Sequence, residues 1–198
     1  MDIERVRVHY QDDEAIDRLC DALHPALQGH DKATVFCIGT DRSTGDALGP
    51  IIGTLLLRYK VNANVIGTLD RPVTATNIAE RMHEIKDDNF IIAVDACLGQ
   101  IKSIGEVTVS DGPLHPGMGL NKQLPSVGDI AIAGIVNMGG FMEYHMLQST
   151  KLTIVLDMAA VITGALIGAL GTSLAVMEHV HRDAIAQGLT VGRVGRYG

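Results

Sequence analysis

Three short runs constrain this chain more than anything else in it: TVFCIG (34–39), NFIIAVDA (89–96) and IAIAGIV (130–136). Each is apolar without alternation and carries β-branched residues, the pattern of a strand covered on both faces. Helical periodicity fills the spaces between them. DDEAIDRLCDALHPAL (12–27) puts Ile16, Leu19, Leu23 and Leu27 on one stripe, with Asp12 or Asp13 able to cap its start. A helix is expected from Gly49–Pro50 to about Tyr59, with Pro50 in the first turn, where a missing N–H costs nothing. TATNIAERMHEIK (74–86) reads as an amphipathic helix, and FMEYHMLQS and the two apolar segments from 152 to about 187 read as further helices. NVIGTL (64–69) and GEVTVS (105–110) complete the strands; GEVTVS has no helix before it and suits an antiparallel or edge position. Strands alternating with helices predict a three-layer α/β/α sandwich around a mostly parallel central sheet. At 198 residues, 46% apolar and 20% charged, the chain is expected to form one such domain over 1–198.

The net charge of −7 argues against a nucleic-acid binder. Cys20, Cys37 and Cys97 show no CxxC spacing and read as free thiols of a reducing compartment, so a cytoplasmic location is expected. The first residues, MDIERVRVHYQDDEAID, are charged from the second position and do not form a signal peptide. LTIVLDMAAVITGALIGAL (152–170) has the length of a membrane span, but Asp157 interrupts it and ionisable groups are costly in lipid. It is expected to be a buried core helix, or one packed in a homo-oligomer, rather than a membrane anchor.

The loop after the first buried run, GTDRSTGDALGP (39–50), has the glycines of a phosphate cradle and the wrong charges. Five residues separate Gly39 from Gly45, and Asp46 stands where a P-loop has lysine. GxGxxG and GxSxG are both missing, and Cys37 lies inside a strand. Ligands of open α/β sheets bind beyond the carboxyl ends of the strands. Asp46 follows the first buried run and Asp95 ends the second, so neighbouring strands would bring both carboxylates into one crevice. Two such groups repel, one keeps its proton, and the pair can supply an acid and a base or bind a divalent cation. Each has a plainer alternative: Asp46 as a cap of the next helix, Asp95 as a turn-forming residue. The long loop DGPLHPGMGLNKQLPSVGD (111–129) offers His115, with Asn121 and Lys122 as further polar groups. His179 and His181 read as a solvated helix end, and GFMEYHML as a packing helix.

IGTDRSTGDALGP, IIAVDACLG, SDGPLHPGMGLNKQLPSVGD and IAGIVNMGGFMEYHMLQSTKL, in this order, resemble the YyaC-like sporulation proteins (DUF1256) over about residues 33–160. The first three segments also resemble the germination protease of endospore formers, which shares its fold with the hydrogenase maturation endopeptidases. The resemblance implies a phosphorylase/hydrolase-like fold and an intracellular peptidase of sporulation or germination acting on a protein or peptide. It implies Asp46 and Asp95 as the catalytic pair, and Gly39, Thr40, Asp41, His115, Asn121 and Lys122 as substrate-binding candidates. The likeness to the hydrogenase endopeptidases implies an alternative in which Asp46, Asp95 and His115 hold a divalent metal ion. A non-catalytic protein that binds peptides in the same cleft is the expectation from another class.

Overall fold

The computed structural model describes residues 3–86, 89–116, 124–140 and 142–171. Its six strands are β1 (Glu4–His9), β2 (Ala33–Cys37), β3 (Asn64–Ile66), β4 (Phe90–Gly99), β5 (Glu106–Asp111) and β6 (Ile130–Met138). They form one sheet in the order β1-β5-β6-β4-β2-β3. The pairs β2–β3, β2–β4 and β4–β6 are parallel; β5 runs antiparallel to both β6 and β1. The fold is therefore a three-layer α/β/α sandwich on a mixed sheet, with the parallel strands running from β6 to the β3 edge and GEVTVS antiparallel as expected.

One face of the sheet is covered by α1 (Ala15–Leu27), α2 (Leu48–Arg58) and α5 (Leu152–Ala169). α5 lies between the other two and packs on both. Leu19, Leu23, Leu48, Ile52, Leu56, Met158 and Ile162 meet Val35, Ile92, Val94 and Ile132 there, all essentially without solvent contact. Burying side chains of this size stabilises by about 1.5–3 kcal/mol each. The opposite face holds a smaller cluster: Phe36, Ile38, Ile66, Val73, Ile78, Ala93 and Val127, under the short helix α3 (Ile78–Met82).

α5 is the one helix among the described residues long and apolar enough to cross a membrane, and 56% of it is buried inside the protein. Its outer side exposes Leu152 and Leu156. The second of the two apolar segments expected to be helical lies beyond the described residues, as do His179 and His181.

Three elements outside the β4 strand differ from the sequence reading. β1 is absent from the sequence reading, although ERVRVH alternates valine with charged residues as a half-exposed strand does; its arginines reach charged partners, Arg5 to Asp111 and Arg7 to Glu106, across the β1–β5 pair. The helix expected over 74–86 is only Ile78–Met82. Its start is delayed by a turn in which Asn77 Oδ1 accepts the Thr74 N–H at 2.8 Å. After Met82 the bonds run from His83 to Glu80, Glu84 to Arg81 and Ile85 to Met82, a tighter winding that no longer extends an α-helix. NVIGTL pairs only as far as Ile66, since Gly67 (φ 94°) turns the chain tightly over the Cys37 carbonyl. Neither Asp12 nor Asp13 caps α1: the N-cap is Glu14, without a side-chain cap bond, and Asp12 accepts the Glu14 N–H at 2.9 Å in the turn just before the helix.

Candidate active site

The connection from β2 leads through α2 to β3 on one side, while β4 continues towards β5 and β6 on the other. β2 and β4 are parallel neighbours whose onward connections leave to opposite sides of the sheet, and at such a switch point the strand ends leave a crevice. Asp46 and Asp95 stand at it.

Asp95 does not end its strand. β4 runs four residues further, held by β6 through Cys97 opposite Ile135, Leu98 opposite Asn137 and Gly99 opposite Met138. The sequence could not show this, because the extension depends on a partner strand about forty residues away. What ends near Asp95 is the neighbour on its other side. The β2 ladder stops at Cys37 opposite Val94, Ile38 adds one last bond to the Val94 carbonyl at 2.8 Å, and the chain turns away at Gly39. Asp95 therefore occupies the first position of β4 that β2 leaves uncovered. Ala133 is its neighbour in β6, and so small a side chain leaves room for the carboxyl.

Asp46 is carried by a 3₁₀ turn, Gly45–Ala47, which packs on β4 and leads directly into α2. The N-cap of α2 is Ala47 and no side chain caps that helix, so the capping role for Asp46 is not realised. Gly39 (φ 134°) and Thr40 close the loop from the other side, the Thr40 N–H donating to the Asp46 carbonyl at 3.0 Å.

Both carboxyls are held above the usual range, and the charge of Asp46 adds to the effect on Asp95. Burial pushes Asp46 up to about 6, against a smaller downward pull from a Thr40 backbone bond. Asp95 is held well above the usual carboxylate range, first by burial and then by the charge of Asp46; the Ala96 N–H, 2.8 Å from its Oδ1, opposes this only in part. Burial and the Asp46 charge both favour the protonated form of Asp95.

Residues 7–165 match the protein family described as "Protein of unknown function (DUF1256)". The chain belongs to the DUF1256 family. A relative is "Uncharacterized protein YyaC" of Bacillus subtilis (strain 168), 51% identical over 136 residues, which are 67% of this chain and 66% of the relative's length. Among solved structures, the [NiFe] hydrogenase maturation protease HycI from Thermococcus kodakarensis KOD1 aligns with a TM-score of 0.44 at 17% identity, over 73% of this chain and 97% of that one.

The other expected site residues of this DUF1256 chain are placed unevenly. Gly39 and Thr40 line the crevice loop, and Thr40 Oγ1 also accepts the Arg42 N–H at 3.3 Å. Asp41 is exposed on the same loop. His115 is exposed beside Leu114, whose backbone pairs with Val127. Asn121 and Lys122 lie outside the described residues. Among the described residues no three His, Cys, Asp or Glu side chains are grouped to hold a metal ion. The set Asp46, Asp95 and His115 is thus not assembled. Two carboxylates alone are a sparse donor set for a divalent ion.

Cys97, two residues beyond Asp95, is half-buried, and burial and the Asp95 charge push its thiol up to about 12. A thiol so protonated is a poor nucleophile. Cys20, Cys37 and Cys97 are all free.

The pair has a cost that can be read from stability. An acid whose pKa is higher folded than unfolded binds its proton better in the folded state. Its contribution to stability therefore falls as pH rises from the unfolded value through the folded one. For Asp46 that window runs from 3.8 to about 6. Asp46→Asn is expected to be more stable than the parent by about 1–3 kcal/mol at pH 8, with the gap closing below pH 4. Thermal melts of both proteins across that range check it; a gap independent of pH would dismiss the linkage.

Proposed function

We propose that this protein is a peptidase in which Asp46 and Asp95 divide the acid and base work of peptide-bond hydrolysis. The observation that carries the reading is the pair itself: two half-buried carboxyls meet at the switch point of the sheet and raise the energy of full ionisation. A pair holding a single proton suits hydrolysis, which must both remove and deliver one.

Asp46, the more readily ionised member, takes a proton from a water as its oxygen attacks the scissile carbonyl. Asp95 gives its own proton to the leaving amide nitrogen as the C–N bond breaks. The products are a carboxylic acid and an amine, and the proton taken up by Asp46 passes to Asp95, which restores both groups for the next cycle. The substrate is a protein or peptide chain entering over the Gly39–Asp41 loop. Membership of the DUF1256 family, together with the motif resemblance to the germination protease, supports a role in the cytoplasm of a sporulating cell or spore.

The test is mass-spectrometric detection of cleavage. Purified protein is incubated with acid-soluble spore proteins and with a peptide library from pH 5 to 8, with and without chelator. Cleavage that survives the chelator supports the paired acids; cleavage lost with it calls for a metal. Binding of library peptides without any cleavage would overturn the peptidase reading in favour of a binding protein.

The pair also predicts a bell-shaped pH dependence of kcat/KM. Activity rises as Asp46 ionises, with its acid limb near pH 6, and falls again as the proton held by Asp95 is lost. A profile flat from pH 5 to 8 would contradict the division of roles.

A further inference from the structure

The segment NMGGFMEYHMLQST, residues 137–150, takes no part in the chemistry above, yet one of its side chains ties the site together. Asn137 stands near the carboxyl end of β6, opposite Leu98 of β4. Its Nδ2 donates to the Met146 carbonyl at 2.8 Å and to Thr150 Oγ1 at 3.3 Å, while its Oδ1 accepts the Met138 N–H at 2.8 Å. Thr150, only 6% exposed, donates in turn to the same Met146 carbonyl at 2.9 Å. These bonds fasten the end of α4 (Glu143–Gln148) to the end of β6. Every donor and acceptor in the tie has a partner, so the amide has one sensible orientation.

The tie bears on the acid turn through a close contact. A Cβ built on Gly45 would lie 2.8 Å from Thr150 Oγ1 and 3.0 Å from both the carbonyl oxygen and Cδ2 of Leu147. Gly45 directly precedes Asp46, and the turn has β4 on its other side. The turn is thus gripped between β4 and the end of α4, and the grip is set by where Asn137 holds Met146 and Thr150.

We propose that Asn137 is a positioning residue: by fixing the end of α4 it presses the Gly45–Ala47 turn onto β4 and keeps the Asp46 carboxyl facing Asp95. This rests on the acid-pair reading of the site. Asn137→Ala removes the Nδ2 bonds to Met146 and Thr150, frees the turn to move outwards, and lets water reach Asp46.

The test reads Asp46 without requiring turnover. Carboxyl ¹³C NMR titrations are recorded on aspartate-labelled parent, Asn137→Ala, Thr150→Val and, as a destabilised control far from the site, Leu23→Ala. The expected result is an Asp46 midpoint lowered by about one unit towards the ordinary range in Asn137→Ala. Thr150→Val should shift it in the same direction, and Leu23→Ala should leave it in place. Where activity is measurable, kcat should fall about 10–100-fold in Asn137→Ala with little change in KM. An Asp46 midpoint unchanged in Asn137→Ala, or shifted equally in Leu23→Ala, overturns the proposal. If Asn137→Ala fails to fold, Thr150→Val carries the same readout. A parent protein without peptidase activity defeats the proposed function, while the titrations still decide whether Asn137 sets the ionisation of Asp46.

Discussion

Asp95→Asn is expected to lower peptide hydrolysis by about 10³-fold while leaving the fold intact. The substitution keeps the size of the side chain and the oxygen that accepts the Ala96 N–H, so the strand and its pairing with Ala133 need not change. It removes the one proton that the site can deliver to a leaving nitrogen. It also removes a group that is costly to ionise where it stands, because burial and Asp46 both oppose its charge. The variant should therefore melt no lower than the parent at neutral pH. Initial rates on a cleaved library peptide, measured beside a melting curve, check both halves. Retained activity would exclude Asp95 from the chemistry, and a collapsed melt would make it a structural residue instead.

Gly39→Ala is the second large expected effect, and it acts through the backbone. Gly39 has φ 134°, a conformation that residues with a Cβ rarely adopt, and an added Cβ would fall 2.0 Å from the Asp46 carbonyl oxygen and 3.1 Å from Pro50 Cδ. Neither neighbour is a flexible side-chain end: one is backbone, the other a ring seated in the first turn of α2. The loop must open to admit the methyl, breaking the Thr40 N–H bond to the Asp46 carbonyl and carrying the carboxyl out of the crevice. A loss of about 2–4 kcal/mol in stability and of nearly all activity is expected. Chemical denaturation and the same peptide assay measure the two effects. A variant of parental stability would show that the close approach is not required.

How much of this was legible beforehand follows from where each residue's environment is decided. β2, β4 and β6 could be read from sequence because a strand covered on both faces must be apolar throughout. β1 carried a signal too, the alternation of Val6 and Val8 with charged residues, but its short length and charge hid it, and its pairing with β5 brings Asp111 and Glu106 beside its arginines. The crevice acids were legible as a pair, Asp46 after one buried run and Asp95 in another. The reach of β4 beyond Asp95 was not, because β6 sets it. His115 shows the limit of reading polar residues in a long loop: chemistry suited to a ligand says nothing about where the loop puts it. Asn137 carried one faint signal, a single amide closing an apolar strand just before Gly139 and Gly140.

α5 has a consequence for how the protein is made. It fills the middle of one face between α1 and α2, yet about ninety residues of chain or more separate it from either. Contacts so distant in sequence are slow to form. During synthesis, Leu19, Leu23, Ile52 and Leu56 emerge long before Met158 and Ile162 exist to cover them. A nascent chain halted before residue 152 would carry an oily, half-closed sheet, the kind of intermediate that chaperones bind and that aggregates when they are scarce.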